Sequence, residues 1–360
     1  MQKTYFTPGP SQLHPKLPVF LKDALELQIG SISHRSTAFH DLFEQTVCSL
    51  RLLLSIPDEY QIFFVSSATE AMERIIQNGV EQSTLHFVNG AFSKLFYQTA
   101  IDYQKKAQIR EVTPGQGFDC ASISIPPEAE LLAFTHNETS TGVLFPLEDI
   151  YAIKQSHPEK LIALDLVSSS PCVPVDFQHI DYAFFSVQKA FGLPAGLGVM
   201  IVSPRGVEKA QALQNRGSVI GSYHSLIKLQ QAAQKNETPE TPNVLSLFLL
   251  NRVVKDFLEE GIDAIQRKTI HKAQVLYDYF DAGTIHSCFV KTARFRSPTV
   301  VVVEVNGGSK PLIDFLKTKG IVMGSGYKEF KEYHIRIANF PALSEKDIQH
   351  LLDSISEYNG

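Results

Sequence analysis

A lysine at the end of an apolar segment is the residue best placed to act as a nucleophile. Lys189 follows the short apolar run 182–186 and precedes a glycine-rich turn, 192–198, that leads into another apolar run. Ligands bind at the carboxyl ends of strands in open α/β sheets, and a lysine in a partly dry pocket has the lowered pKa that imine formation requires. The alternative is a solvated lysine in a surface loop, the usual state of an isolated lysine.

An aspartate closes a second apolar segment. Asp165 ends the run 161–165, and the four residues before it in this run are all aliphatic. Burying an unpaired carboxylate is costly, so Asp165 needs either a cationic partner or the backbone N–H groups of a loop that it caps. A protonated pyridine nitrogen would serve as the cation. Together with an imine-forming lysine it indicates pyridoxal phosphate, whose pyridinium ring acts as an electron sink.

A third segment could bind the phosphate of that cofactor. Ser67, Ala68 and Thr69 lie between the apolar run 61–66 and a helical pattern with one apolar face, so their amides and hydroxyls converge at a helix N-terminus. The alternative is an ordinary Ser/Thr helix cap, which is commoner than a phosphate site. Phe92 could stack on the cofactor ring, or it could be a core residue of a helix over 89–102.

These residues and a set of short motifs, taken in order along the chain, resemble the class V aminotransferases. The spacing between Asp165 and Lys189 is also similar to that of the family. The resemblance covers nearly the whole chain and is closest to the members that act on phosphoserine. The motifs that carry it are Thr7-Pro-Gly-Pro, Ser33-His-Arg-Ser, Ser66-Ser-Ala-Thr, Asn137-Glu-Thr, Asp165, Gln188-Lys189, Thr241-Pro and Arg336.

The resemblance implies the α/β fold of the fold-type I pyridoxal-phosphate-dependent transferases and a role for each cofactor-site residue. Lys189 would hold the cofactor as a Schiff base and act as the catalytic base, and Asp165 would pair with the pyridine nitrogen. Gln188 and Thr69 would bind the cofactor phosphate. Thr139 would lie on the side of the ring hydroxyl.

The resemblance also implies residues that bind the substrate and a second subunit. Thr241 would reach the phosphate of the other subunit's cofactor, which implies a homodimer. Arg336 would bind the α-carboxylate of the substrate through its bidentate guanidinium group. His34 and Arg35, together with Lys328, are the candidates for binding a substrate phosphate, although an exposed loop pair is the alternative for the first two.

The implied reaction is transamination between phosphoserine and 2-oxoglutarate, a step of L-serine biosynthesis. Phe92 stands where the family has a stacking tryptophan, and Tyr327-Lys328 stands where a His-Arg pair helps to bind the substrate phosphate. A class V aminotransferase that uses alanine or serine with glyoxylate or pyruvate is therefore an alternative. Two others are a lyase such as a cysteine desulfurase, whose mobile cysteine would be Cys288 in an apolar segment, and a catalytically silent binding protein.

The composition is that of an ordinary globular protein. The chain has 360 residues with a formal net charge of -5, and 44% of its residues are hydrophobic and 20% charged. This composition argues against disorder and gives no basic surface for nucleic acid. The cysteines are scattered, the histidines show no metal-ligand spacing, and no segment reads as a signal peptide or a membrane span, so we expect a metal-free cytoplasmic enzyme.

Short apolar runs alternate with helical patterns between residues 61 and 203, which is typical of a mainly parallel sheet. A polar stretch, 214–243, predicts an irregular loop and a domain junction. Beyond it we expect a long helical pattern over 245–280, a strand over 299–305, a helix near 310–319 and a strand over 334–338. Ser344, followed three residues later by Asp347, predicts the capped start of a last helix. We therefore expect a large domain over 16–243 and a smaller α+β domain formed by 1–15 and 244–360. The seven strands predicted for the large domain are 61–66, 84–88, 108–112, 131–135, 161–166, 182–186 and 197–202.

Overall fold

The computed structural model describes residues 3–120, 123–283 and 286–358, so the outer limits of the predicted small domain, residues 1 and 360, lie outside the described residues. The strands are β1 (Thr4–Phe6), β2 (Gln61–Val65), β3 (Ser83–Val88), β4 (Lys106–Glu111), β5 (Leu131–Thr135), β6 (Asn137–Glu138), β7 (Val143–Leu144), β8 (Leu161–Asp165), β9 (Tyr182–Ser186), β10 (Gly198–Val202), β11 (His286–Cys288), β12 (Val300–Val305), β13 (Ile321–Ser325) and β14 (His334–Ala338). The helices are α1 (Leu17–Glu26), α2 (Thr37–Leu54), α3 (Ala68–Gly79), α4 (Ala91–Asp102), α5 (Leu147–Ser156), α6 (Pro204–Asn215), α7 (Leu226–Ala233), α8 (Val244–Glu260), α9 (Ile262–Ala282), α10 (Ser309–Thr318) and α11 (Glu345–Ser356).

The seven predicted strands form one sheet. Two of them have the predicted ends, and the ends of the other five differ from the prediction by one or two residues. Its strand order is β2-β10-β9-β8-β5-β3-β4. Neighbours from β9 to β4 are parallel, and β10 runs antiparallel to both β2 and β9. The mainly parallel seven-stranded sheet is therefore confirmed, with β10 as its reversed strand.

Helices cover both faces of this sheet because alternate residues of its strands are apolar on opposite sides. In β2, Ile62 and Phe64 pack with residues of α2, α5 and α8, whereas Phe63 and Val65 pack with residues of α3, α4 and α6. Both faces are dry, so every residue of β3, β5, β8, β9 and β10 is buried. Apart from His86 in β3, the polar residues of these strands lie near the strand ends, where the chain enters loops.

A second sheet, of order β1-β13-β14-β12-β11, packs against α9, α10 and α11. The sequence predicted β12, β14 and α10 but not β1, β11 or β13. β1 pairs in parallel with β13, so a short N-terminal strand joins elements more than 300 residues away. The predicted cap of the last helix is confirmed: the Ser344 hydroxyl accepts from the Asp347 amide, and the Asp347 carboxylate accepts from the Ser344 amide.

Two expectations about the second half of the chain are wrong. The helical pattern over 245–280 is two helices, because Gly261 adopts a φ of 86° that ends α8. Residues 230–233 of the stretch predicted to be irregular belong to α7, and Gln234 follows its last residue. The Ser225 hydroxyl caps this helix by accepting from the Lys228 amide. Burial of leucine and isoleucine side chains of α7 against α3 and β2 outweighs the polar composition of its exposed face. Within the described residues, no helix has the length and apolar character needed to cross a membrane.

Candidate active site

A cavity of about 310 Å³ lies at the edge of the large sheet where β2, β8 and β9 end. Parallel strands end at the same edge of a sheet, so residues distant in the sequence meet there. Eight of the residues proposed for catalysis and cofactor binding line this cavity: Ser67, Ala68, Thr69, Phe92, Thr139, Asp165, Gln188 and Lys189. The cavity is also lined by Gly9, Pro10, Met72, Leu95, Asn137, Val167, Ser186 and Ala195.

Lys189 reaches this cavity from the loop that follows β9, and only 8% of its surface is exposed. Its Nζ donates a hydrogen bond to the Pro8 carbonyl at 2.5 Å and lies 5.7 Å from the centre of the Phe92 ring. Burial and then the positive charge of Arg336 lower the pKa of Lys189 from 10.5 to about 8. A neutral amine, which is the nucleophilic form, is therefore accessible near neutral pH.

The N-terminal segment leaves room for the Lys189 side chain. A Cβ on Gly9 would lie within 2.6 Å of both Nζ and Cε of Lys189, and Gly9 has a φ of 151°. The Ser11 hydroxyl donates to the carbonyl of Lys189 at 2.7 Å. The Thr7-Pro-Gly-Pro motif thus forms part of the wall around the lysine.

Asp165 ends β8, next to β9 in the sheet, and is 3% exposed. One carboxyl oxygen accepts a hydrogen bond from the Val167 amide at 2.8 Å. Desolvation raises the pKa of Asp165 from 3.8 to about 7, and the nearby Glu138 carboxylate adds to this rise. A cation in the cavity would restore the ionised form, because an opposite charge favours it.

The proposed phosphate turn lies at the N-terminus of α3. The Ser67 hydroxyl caps this helix by accepting from the Glu70 amide at 3.1 Å, and the Ala68 amide donates to the Ser186 hydroxyl at 3.1 Å. A Cβ on Gly198 would lie 2.6 Å from the Ser67 carbonyl carbon, so β10 can approach the turn only with a glycine there. The helix end presents its positive dipole to the cavity, which favours an anion.

Two amide side chains that line the cavity have buried oxygens without a hydrogen-bond partner among the described residues. They are Oδ1 of Asn137 and Oε1 of Gln188. An unmade hydrogen bond of a buried polar group costs about 1–3 kcal/mol, so a polar ligand fits this cavity better than an apolar one. A buried acid, a buried amine, a helix N-terminus and these amides together match the polar groups of pyridoxal phosphate.

Glu138, the middle residue of the Asn137-Glu-Thr motif, is a further residue of this site, and the sequence alone predicts no role for it. Its carboxylate is fully buried and accepts from the Phe92 amide at 3.1 Å and from the Ser93 amide at 2.9 Å. It therefore caps α4 in place of the missing side chain of Gly90, whose Cβ would lie 2.4 Å from Glu138 Cγ. This cap fixes the helix turn that presents the Phe92 ring to the cavity.

Arg336 and Tyr327 border the cavity beside Thr139. The Nε of Arg336 donates to the Ser325 carbonyl at 2.8 Å, and its guanidinium carbon lies 5.3 Å from the centre of the Tyr327 ring. The Tyr327 ring in turn lies 5.5 Å from that of Phe92. Lys328 is exposed next to Tyr327, with its Nζ 5.9 Å from the centre of the Tyr327 ring.

Three predicted residues lie away from this cavity. Arg35 is 60% exposed and donates to the Glu237 carboxylate at 2.6 Å. His34 is half-buried and contacts the edge of the Phe39 ring, with 6.4 Å between ring centres. Thr241 is exposed in the loop that contains Glu237, so the three residues belong to two segments that contact each other.

The Cys288 thiol is buried in β11, where burial raises its pKa to about 12. A thiol that stays protonated at neutral pH is a poor nucleophile, and β11 belongs to the second sheet rather than to a cavity loop. Among the described residues, no cluster of His, Cys, Asp or Glu side chains has a geometry that could hold a metal ion.

Replacing Asp165 by asparagine tests its burial in ligand-free protein. The pKa of Asp165 is raised, so its contribution to stability is fully present below about pH 4 and is lost as the pH rises to about 7. Asparagine stays neutral, so the urea midpoint of Asp165→Asn should rise relative to that of wild type over this range. An exposed control, Asp102→Asn, should show no such trend, and a pH-independent difference for Asp165→Asn would contradict the assignment.

Comparison with known proteins places this geometry in a family. Residues 7–340 match the family model of aminotransferase class V. A solved phosphoserine aminotransferase from Cytophaga hutchinsonii is 42% identical, with a TM-score of 0.97 and 99% of each chain covered. A phosphoserine aminotransferase from Rhodococcus opacus is 26% identical over 96% of this chain and 92% of its own.

The fold itself extends to more distant proteins. A pyridoxal-phosphate-bound phosphoserine aminotransferase from Trichomonas vaginalis is 17% identical, with a TM-score of 0.83. The match covers 99% of this chain and 100% of that chain. The predicted family, fold class and cofactor are thereby confirmed. The chain belongs to the class V aminotransferases, which are transaminases that use pyridoxal phosphate.

Proposed function

We propose that this enzyme transfers the amino group of phosphoserine to 2-oxoglutarate in L-serine biosynthesis. The buried pair of Lys189 and Asp165, which face one cavity from adjacent strand ends, is the observation that carries the transaminase chemistry. The name of the relative with 42% identity supports phosphoserine as the amino donor. We also propose that the enzyme works in the cytoplasm.

The residues around the cavity fit each part of pyridoxal phosphate. The cofactor supplies an aldehyde for imine formation and a pyridinium ring that withdraws electrons. Asp165 would hold the pyridine nitrogen in its protonated form, and Phe92 would lie against the ring face. The phosphate would be bound by Ser67, Ala68, Thr69 and Gln188, and Thr139 would lie beside the ring hydroxyl.

Lys189 would both tether the cofactor and move the proton. Its Nζ is nucleophilic at neutral pH because the buried site lowers its pKa to about 8. The amine of Lys189 would be the group that takes the proton from the substrate α-carbon and returns it, and the cofactor would supply the electron-withdrawing ring. The Pro8 carbonyl at 2.5 Å would hold this amine in place between the two transfers.

Arg336 is the proposed ligand of the substrate α-carboxylate. Its Nε is already fixed by the Ser325 carbonyl, while burial lowers the pKa of its guanidinium group from the ordinary 12.5. A desolvated guanidinium gains more from a carboxylate than an exposed one does, because the interaction is less screened. The contact with the Tyr327 ring at 5.3 Å restricts where the guanidinium can move.

His34 and Arg35, with Lys328, are the proposed ligands of the substrate phosphate, and Thr241 the proposed ligand of the partner subunit's cofactor phosphate. His34, Arg35 and Thr241 lie away from the cavity of the chain to which they belong. The hydrogen bond between Arg35 and Glu237 joins the two segments that carry them. In a homodimer this surface would serve the partner's cavity, and the exposure of Arg35 and Thr241 in a single chain supports this proposal.

We further propose that the chain divides into a large domain, residues 16–243, and a small one formed by 1–15 and 244–360. The pairing of β1 with β13 supports the assignment of the N-terminus to the small domain. α8, the first helix after the proposed boundary, packs against α1 and α2, so it would connect the two domains.

Lys189→Ala and Lys189→Arg should both purify without the visible absorbance band of a lysine–cofactor imine. Alanine removes the amine. Arginine keeps the positive charge of the side chain, but its guanidinium group cannot form the imine. Lys94→Ala, an exposed lysine of α4, is the matched control and should keep the wild-type band. A normal band in either Lys189 variant would reject the assignment.

Arg35→Ala and Arg336→Ala should separate the two ends of the substrate. A hydrogen bond to a charged group contributes about 1.5–3 kcal/mol, so Arg35→Ala should weaken phosphoserine roughly 10- to 150-fold while alanine and serine are almost unaffected. Arg336→Ala should weaken all three amino acids, because each has an α-carboxylate. Arg267→Ala, an exposed change on α9, is the control, and equal losses for all substrates in Arg35→Ala would contradict its role.

The choice of amino donor is tested on the wild-type enzyme. Tyr327 contacts Arg336 and Phe92 at the border of the cavity, where the resemblance to the family implies a cation, so we expect phosphoserine to bind more weakly than the family norm. We expect kcat/KM for phosphoserine to exceed that for alanine and serine, with either glyoxylate or 2-oxoglutarate as acceptor. A higher value for alanine or serine would replace the proposal by an alanine–glyoxylate or serine–pyruvate type of activity.

A further inference from the structure

A buried histidine joins the proposed phosphate turn to the loop that carries Thr241. His224 is 2% exposed, and its two ring nitrogens each contact a carboxylate. Nδ1 bonds to Glu70 in the first turn of α3, and Nε2 lies 2.7 Å from a carboxylate oxygen of Glu240. Because both nitrogens face acceptors, the imidazole is held in its doubly protonated, cationic form.

The charges of this triad are mutually consistent. Burial alone would lower the pKa of His224, but the bonds to Glu240 and Glu70 outweigh it and raise the pKa to about 9. Burial would likewise raise the pKa of Glu70, but the bonds from His224 and Ser66 lower it to about 2. His224 is therefore charged at neutral pH, and Glu70 is ionised.

Other charged groups near His224 do not compete for its proton. The ring of Tyr223 stacks on the imidazole with 4.0 Å between centres, and Glu70 and then burial raise the pKa of its hydroxyl. Arg74 of α3 lies beside Gly221, three residues before His224. The carboxylates of Glu70 and Glu240 remain the groups that bond the imidazole directly.

Glu70 lies directly beside the residues proposed to bind the cofactor phosphate. It follows Thr69 in the chain, and its carboxylate accepts from the Ser66 amide at 2.8 Å and the Ser66 hydroxyl at 2.6 Å. An ionised carboxylate at this position would repel a phosphate dianion bound at the same helix N-terminus. The imidazolium of His224, which Glu70 shares with Glu240, offsets part of that charge.

The same imidazolium holds the neighbouring loop. Glu240 precedes Thr241, and the Glu240 carbonyl accepts from the Thr238 hydroxyl at 2.7 Å, so the loop backbone is fixed around this residue. The protonated side chain of His224 therefore contacts two segments. One is the phosphate turn at the cavity of its own chain, and the other is the Thr241 loop, which is proposed to reach the cavity of the partner subunit.

We propose that His224 is a positioning residue for phosphate binding: it offsets part of the charge of Glu70 beside the phosphate turn and ties the Thr241 loop to that turn. The inference rests on the proposed location of the cofactor phosphate. The contribution of the phosphate group to the affinity for the cofactor falls when His224 is replaced or loses its proton. The contribution of the pyridine ring does not change.

The test uses two ligands that cannot form an imine, 4'-deoxypyridoxine 5'-phosphate and 4'-deoxypyridoxine, titrated by fluorescence into cofactor-free full-length protein. His224→Gln should weaken the phosphorylated ligand about tenfold at pH 7.5, a change of ~1.4 kcal/mol, and leave the other ligand unchanged. The double variant His224→Gln/Glu70→Gln should recover most of the loss, because the uncompensated carboxylate is gone. His271→Gln, an exposed change on α9, is the control.

A pH series on the wild type gives a second readout that needs no variant. Preference for the phosphorylated ligand should fall as the pH rises through about 9, where His224 loses its proton, and His224→Gln should lack this step. Equal losses for both ligands, no rescue by Glu70→Gln, or a flat wild-type profile would each overturn the role of His224. If wild type binds the two ligands equally at pH 7.5, the phosphate location fails first, and the proposed cofactor site fails with it.

Discussion

The withdrawal of Lys189 and Asp165 from water is the constraint on which the rest of the site depends. Burial moves the pKa of the lysine down to about 8 and that of the aspartate up to about 7, so each is displaced towards its neutral form. Neither shift would occur in a surface loop, where water stabilises the charged forms. The dry faces of the large sheet and the close approach of Gly9 are therefore part of the chemistry.

Two carboxylates, one buried and one partly exposed, fix helix N-termini around the cavity. Glu138 caps α4 and so sets the position of Phe92, while Glu70 closes the first turn of α3. These two acids add negative charge beside a site meant for anions. Arg336 and His224 offset it, since the former lies near Glu138 and the latter bonds Glu70. The site thus combines rigid helix ends with a nearly balanced charge.

The sequence predicted the large sheet and the meeting of Lys189 and Asp165 at its edge because both depend on local patterns. Short apolar runs are sufficient to locate buried strands, and Lys189 and Asp165 directly follow or end such runs. Glu138 was given no role because its partners, the amides of Phe92 and Ser93, lie in a different segment of the chain. β1 was missed for the same reason, since three residues become a strand only by pairing with β13. Gly261 shows the opposite case, in which one local residue interrupts a continuous apolar pattern.

The most direct test of the central claim is to identify which lysine the cofactor modifies. Lys272 is also buried, and burial lowers its pKa to about 8, but its Nζ donates to the carbonyls of Phe340 and Leu343 far from Asp165 in the sequence and outside the cavity. Borohydride reduction of the protein with pyridoxal phosphate, followed by peptide mass spectrometry, measures the site of imine formation. The account predicts a pyridoxyl group on Lys189 alone. Modification of Lys272, or of several lysines at similar levels, would contradict it.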